Sequence, residues 1–176
     1  MSARWDERGD ESSAPSGHVL LPMAMAQLDA VMAIEVAAYA FPWSYGNFVD
    51  SIVAGHPSRL LYSAAGELLG YFVAMVGVDE IHLLNITIAP AAQGQGHARF
   101  LISALIELCG AHQASELWLE VRDSNLRARD IYRRLGFKQV GVRKAYYPVA
   151  LGRREDAVLM SRKLAAAPAG GDDALE

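Results

Sequence analysis

Apolar positions along this chain switch between a period near two and a period near 3.6, and the switches mark a regular succession of elements. Residues 18–21 read as a short strand. Over 24–39, Leu28, Val31, Met32 and Val36 fall on one helical face. Phe41-Pro42-Trp43 breaks that helix, and Ser44 caps a second one whose buried face is Tyr45, Phe48, Val49 and Ile52. Gly55-His56-Pro57 ends it. Residues 59–63 and 68–76 are strands around an Ala65-Gly66 turn. Residues 80–88 are nearly apolar on both faces, which predicts a central strand. Residues 96–112 are helical, with Leu101, Ala104, Leu105 and Leu108 inward. A strand follows at 116–121, then a helix at 124–135 with Ala128, Ile131, Tyr132 and Leu135 on one stripe. Gly136 supplies a left-handed stop and Phe137 packs back on the helix. Strands at 139–147 and 157–162 close the pattern, joined by a polar loop around Gly152. The order β-α-α-β-β-β-α-β-α-β-β implies an α/β fold: a mixed sheet with helices on both faces.

Composition narrows the class. The chain has 176 residues, 52% apolar and 20% charged, with a net charge of −4. That length suits one domain, and the charge gives no field for non-specific nucleic-acid binding. Residues 1–17 and 165–176 are polar or low in complexity and read as disordered tails around a domain at 18–164. Residues 1–17 lack the apolar core of a signal peptide, and no run is long enough for a membrane span. One cysteine, Cys109, rules out an internal disulfide and fits a reducing compartment. Its place among helix residues marks a buried structural thiol. A cytoplasmic enzyme or binding module remains. Five histidines without metal spacing predict no metal site, and the absence of GxSxG removes a serine-hydrolase elbow.

Three features carry candidate chemistry. Gln93-Gly94-Gln95-Gly96-His97-Ala98-Arg99 follows a buried strand and opens a helix. It is either an ordinary glycine turn or a nest of backbone N–H groups for phosphate. It lacks the lysine of a Walker loop and the third glycine of a dinucleotide fingerprint. On the strand after it, Glu120 alternates with Leu119 and Val121. It is either a solvent-facing acid or a base whose pKa its apolar neighbours raise. Tyr132 is either a core tyrosine or a proton donor to a departing thiolate; phenol and thiol have reference values of about 10 and about 8.5. Asn125 either starts its helix or hydrogen-bonds an amide-bearing ligand.

Taken in order, these pieces resemble the GNAT acetyltransferases, whose acetyl-CoA signature Q/R-x-x-G-x-G/A is matched by Gln93 to Ala98. More narrowly, the chain is similar to the RimI type, the bacterial enzymes that acetylate N-terminal alanine on ribosomal proteins. The matching stretches are Phe41-Pro42-Trp43-Ser44, Asn85-Ile86-Thr87-Ile88, Leu117-Trp118-Leu119-Glu120-Val121-Arg122, Ser124-Asn125, Ile131-Tyr132, Leu135-Gly136-Phe137, Tyr146-Tyr147-Pro148 and Arg154-Glu155-Asp156-Ala157. They run over residues 18–164.

The resemblance implies a mixed, mostly antiparallel sheet of about seven strands with about four flanking helices. It implies acetyl-CoA as co-substrate and no metal. Glu120 would be the general base and Tyr132 the general acid. Ile86, Thr87 and Ile88 would present backbone to the acetyl group and pantetheine. Gln93, Gly94, Gln95, Gly96, His97, Ala98 and Arg99 would hold the pyrophosphate, and Asn125 and Tyr132 would also meet the cofactor. Trp43, Tyr146 and Tyr147 would wall the acceptor site. The implied partner is the N-terminus of a ribosomal protein, met by a monomer without direct contact to nucleic acid or membrane. Two departures stand out: His97 replaces a usual apolar residue, and Ala98 takes the second glycine position. Acetylation of lysine or a small amine, or simple acetyl-CoA binding, are the rival readings.

Overall fold

The computed structural model describes residues 17–164. Apart from Gly17, the two tails read as disordered lie outside the described residues. β1 (Val19–Pro22) leads through a 3-10 turn into α1 (Leu28–Ala38) and α2 (Tyr45–Val53). β2 (Ser58–Tyr62), β3 (Leu68–Val76) and β4 (Glu80–Ile88) follow, then α3 (His97–Ala111), β5 (Glu116–Arg122), α4 (Leu126–Arg134), β6 (Lys138–Pro148) and β7 (Arg154–Lys163). The seven strands form one sheet in the order β1-β2-β3-β4-β5-β7-β6. Every pairing is antiparallel except β4 with β5. The expected mixed, mostly antiparallel sheet with four helices is what forms.

Local chemistry sets the boundaries. Ser44 and Asn47 make a reciprocal capping box at the start of α2. Asn125 caps α4, its side chain accepting from the Ala128 N–H at 3.1 Å. That helix therefore begins at Leu126, two residues later than the apolar stripe suggests. Gly136 has φ +85°, the left-handed stop after α4, and Phe137 folds back so that its ring lies 5.7 Å from that of Tyr132.

Two cores form. α3 and α4 cover one face of the sheet, where Leu101, Ile102 and Leu105 meet Phe72, Ile81, Leu117 and Met160. α1 and α2 cover part of the other face through Leu28, Val31, Phe48, Leu60, Tyr71 and Val73. The predicted face of α1 needs correcting. Val36 is 58% exposed, and the next inward position after Leu28 and Val31 belongs to Glu35. Tyr45, expected inside α2, is exposed as well, because the α2 face turned to the sheet is centred on Phe48.

β4 is central, as its apolar run predicts, yet it is not buried on both faces: Leu84 is 37% exposed. Glu80 and His82 on the same side are partly exposed too, and a bulge follows. Val73 pairs with Asn85 and Ala74 with Leu83, so Leu84 is the extra residue. The parallel pairing of β4 with β5 ends at the same level, at Leu83 and Leu119. Beyond that point the two strands part and the middle of the sheet opens.

Candidate active site

The opening is the root of a cleft of about 1040 Å³. Leu83–Ile88 line one arm of the V and Leu119–Arg122 the other, with the glycine turn, α4 and the loop after α1 closing it round. Every predicted site residue lines this cleft except Tyr146. Tyr146 stands outside it, half-exposed, with its ring edge-on to that of Tyr147 at 5.0 Å.

The main chain of β4 shapes the first arm. The Ile86 carbonyl accepts from the Tyr39 hydroxyl at 3.1 Å, and the Ile88 carbonyl accepts from the Gln93 amide at 3.2 Å. A strand residue points its N–H and C=O to the same side, so the N–H groups of Ile86 and Ile88 also face the parted edge. Those donors have no β5 partner, because the β4–β5 ladder has already ended. Thr87 points the other way and is buried.

The glycine turn has the form of an anion cradle. Gly94 and Gly96 have φ +82° and +86°, conformations that glycine adopts without strain. A Cβ built on Gly96 would meet nothing within 4 Å in the chain, so the space before it is open to a ligand. Gly96 caps the 15-residue α3, and its carbonyl accepts from Phe100. The N–H groups of His97, Ala98 and Arg99 thus stand at the positive end of the helix dipole without intrahelical acceptors. Arg127 leans toward the same turn, its Nη2 3.8 Å from where a Gly94 Cβ would sit. These groups fit a pyrophosphate. The His97 side chain does not join them: it is buried, its ring 5.1 Å from that of His18. Burial, with His18 second, lowers its pKa, so the departure from an apolar residue adds a neutral ring beneath the turn.

The acid and the phenol come from different elements. Glu120 is on the cleft side of β5, but its surroundings are not the apolar ones expected. Arg143 Nη1 lies 3.1 Å from its Oε1, and the side chain is 27% exposed. Tyr132 is buried on α4 and its hydroxyl makes no hydrogen bond among the described residues. Burial raises its pKa, helped by the nearby Tyr39 and Tyr147 hydroxyls. Tyr147 reaches over β5, donating to the Glu120 carbonyl at 3.3 Å, and its own phenol is pushed up to about 12, mainly by burial and then by Glu120. The Arg122 guanidinium lies 4.6 Å from the Tyr147 ring and 5.9 Å from that of Phe41. Asn125 also lines the cleft, and its cap leaves the amide donors unused.

The floor holds a network that the apolar pattern did not reveal. Glu35 is buried at 1% exposure. Its Oε1 accepts from the Trp43 N–H at 2.7 Å and from the Asn85 amide at 3.4 Å. Its Oε2 accepts from the Tyr71 hydroxyl and lies 3.4 Å from Thr87 Oγ1. Thr87 is also 3.2 Å from the Tyr39 hydroxyl. The signal was present: counting seven from Leu28 along the stripe reaches Glu35, an acid where an apolar residue is due. Arg143, by contrast, meets Glu120 only through the tertiary fold. Among the described residues no cluster of three or more His, Cys, Asp or Glu is placed to hold a metal ion.

Residues 28–137 match the acetyltransferase (GNAT) family. The chain belongs to the GNAT acetyltransferase family. It is 40% identical to the ribosomal protein bS18-alanine N-acetyltransferase of Haemophilus ducreyi over 128 residues, covering 73% of this chain and 88% of that one. Its counterpart in Escherichia coli K12 is 37% identical over 134 residues, covering 76% of this chain and 89% of the relative. A crystal structure of the Escherichia coli enzyme superposes with a TM-score of 0.78 at 32% identity, over 90% of this chain and 99% of the other. The likeness to the RimI type thus extends from motifs to the whole fold. The protein is an acetyl-CoA-dependent N-acetyltransferase.

Proposed function

We propose that the protein acetylates the α-amino group of an N-terminal alanine, that of ribosomal protein bS18, with Glu120 as base and Tyr132 as acid. One observation carries the residue roles: Glu120 on β5 and Tyr132 on α4 line the same cleft as the β4 backbone and the glycine turn. The acceptor is supported by the relatives, which bear that activity in their names and are 37–40% identical to this chain over the 128–134 residues aligned.

The chemistry follows from which proton must move. An α-ammonium has a reference pKa of about 7.7–8.0, against about 10.4 for lysine. Freeing the α-amine at neutral pH costs about 1 kcal/mol, and freeing lysine several times more. A partly exposed carboxylate such as Glu120 is an adequate acceptor for the first proton, directly or through water. The amine lone pair attacks the thioester carbonyl, and the N–H groups of Ile86 and Ile88 face the side where negative charge grows on oxygen. The C–S bond breaks, the sulfur takes its proton from Tyr132, and the surplus proton on the new amide nitrogen is released, directly or through water, to restore the phenol. Burial holds that phenol protonated, so its proton is available as negative charge develops on the leaving sulfur. Trp43, Phe41 and Tyr147 wall the acceptor side.

The test is competition between a peptide copying the bS18 N-terminus and the same peptide with a blocked α-amine and an internal lysine. Mass spectrometry should find acetyl only on the free α-amine. Equal labelling of lysine would sink the substrate assignment.

A further inference from the structure

Glu35 has no role in the chemistry above, yet it is the most deeply buried acid in the described fold. The groups that hydrogen-bond its carboxyl are neutral: a main-chain N–H, an amide and two hydroxyls. Burying an acid without a cation is unfavourable, and an apolar side chain on this stripe of α1 would pack against Val31 and Phe48 at no such cost. The carboxyl therefore has to be explained by what it holds in place.

Its two oxygens join three segments. Oε1 takes the Trp43 N–H, in the loop between α1 and α2. Oε2 takes the hydroxyl of Tyr71 on β3, and both oxygens reach β4 through Asn85 and Thr87. β4 does not depend on this: its residues 85–88 are already laddered to β3. The loop is different. The Ser44 capping box bonds only within the start of α2, and the Trp43 ring rests on Phe48 at 5.2 Å. Without the Glu35 carboxyl, Trp43 keeps a ring contact and loses its main-chain anchor.

We propose that Glu35 is a positioning residue for the acceptor: it fixes the main chain at Trp43 and so the wall against which the acceptor lies, with no part in donor binding. This rests on reading Trp43 as acceptor wall. It makes the two substrates respond differently to one substitution.

The experiment uses the full chain with Glu35→Ala and Glu35→Gln. Glu35→Ala is expected to raise KM for the bS18 N-terminal peptide by about tenfold while acetyl-CoA affinity, read by calorimetry, stays within about twofold. Glu35→Gln keeps an oxygen for the Trp43 N–H and is expected to restore KM to near the wild-type value. A purely structural role would lower the melting temperature without splitting the two substrates. Amide deuterium exchange supplies a readout that needs no turnover: uptake at residues 40–44 is expected to rise in Glu35→Ala and not at 85–88. If wild-type protein fails to acetylate the peptide, the functional reading falls and the exchange arm alone decides about Glu35. Unchanged exchange at 40–44, or a parallel loss of donor and acceptor binding, would overturn the proposal. Should Glu35→Ala fail to fold, Glu35→Gln decides by its own exchange at 40–44: protection like the wild type supports the anchor, and exposure there overturns it.

Discussion

Arg143 on β6 reaches across β7 to lie 3.1 Å from the carboxyl of Glu120 on β5. The crossing is possible because the residue opposite both Arg143 and Arg122 on β7 is Ala157, which raises no bulk between them. The acid at the mouth of the cleft thus already has a cation, and on the proposed mechanism an incoming ammonium exchanges with it. Exposed pairs of this kind are worth up to about 1 kcal/mol. Arg143→Ala should therefore lower KM for the peptide by about two- to fivefold. Steady-state kinetics at low ionic strength check this, and a raised KM would mean that Arg143 binds the peptide itself.

Tyr132→Phe removes the proposed donor and little volume. Turnover should fall by about a hundredfold, with acetyl-CoA binding unchanged by calorimetry. Because burial raises this phenol, it keeps its proton in the free enzyme through the ordinary assay range. No alkaline loss of kcat/KM below about pH 10 should trace to it. A wild-type rate in Tyr132→Phe would remove it from the mechanism.

Gly96→Ala tests the anion cradle. The new methyl meets nothing inside the chain, so its effects are the left-handed φ of +86° and the space it takes from a ligand. Stability should fall by about 1 kcal/mol from the strain, whereas acetyl-CoA affinity should fall by tenfold or more, on the order of one lost charge-assisted phosphate contact. Calorimetry beside thermal melting separates the two. Equal losses would leave the turn with a structural role only.

Alkaline pH should unfold the protein through its buried phenols. Burial raises Tyr39, Tyr71, Tyr132 and Tyr147 above the ordinary value, with the Glu35 carboxyl adding to the first two. A phenol whose folded pKa exceeds its unfolded one keeps its proton where the unfolded chain would lose it. Its contribution is complete below about pH 10 and is lost as pH rises through the folded values. Melting temperature should hold to about pH 9.5 and drop steeply beyond, and the ultraviolet signal of these tyrosinates should appear only with unfolding. Tyrosinate absorption rising well before the fold melts would contradict the burial.

Ala145 sits at φ +49° inside β6, where the ladder with β7 skips from Arg143 to Tyr147. A β-carbon in that conformation costs about 1 kcal/mol. Ala145→Gly should stabilise the fold by about 0.5 kcal/mol after the added freedom of the unfolded chain is subtracted. Chemical denaturation reads this directly, and a lower midpoint would show that the turn is not strained.

Local patterns gave away most of the fold because their causes are local. The alternation Leu117, Leu119, Val121 against Trp118, Glu120, Arg122 is a property of any strand half-covered by helices. Ser44 and Gly136 announce helix ends through bonds made within a few residues. The candidate site was legible where a motif encodes backbone, as at Gly94 and Gly96. It was not legible where residues far apart converge. Arg143 reaches Glu120 across an intervening strand, and the Leu84 bulge depends on β3 and β5 together. Glu35 was hidden for another reason: Val36 beside it offered an apolar residue nearly in phase, and the true stripe places an acid there.

The parting of β4 and β5 ties reactivity to the angle of a wedge. Leu83 and Leu119 stand at its apex, after four paired residues, with the backbone of Ile86 and Ile88 on one blade and Glu120 on the other. Trimming either buried leucine would narrow or tilt the wedge, so on the proposed roles a change made in the core behind Glu120 would register as a change in the distance a proton has to cross.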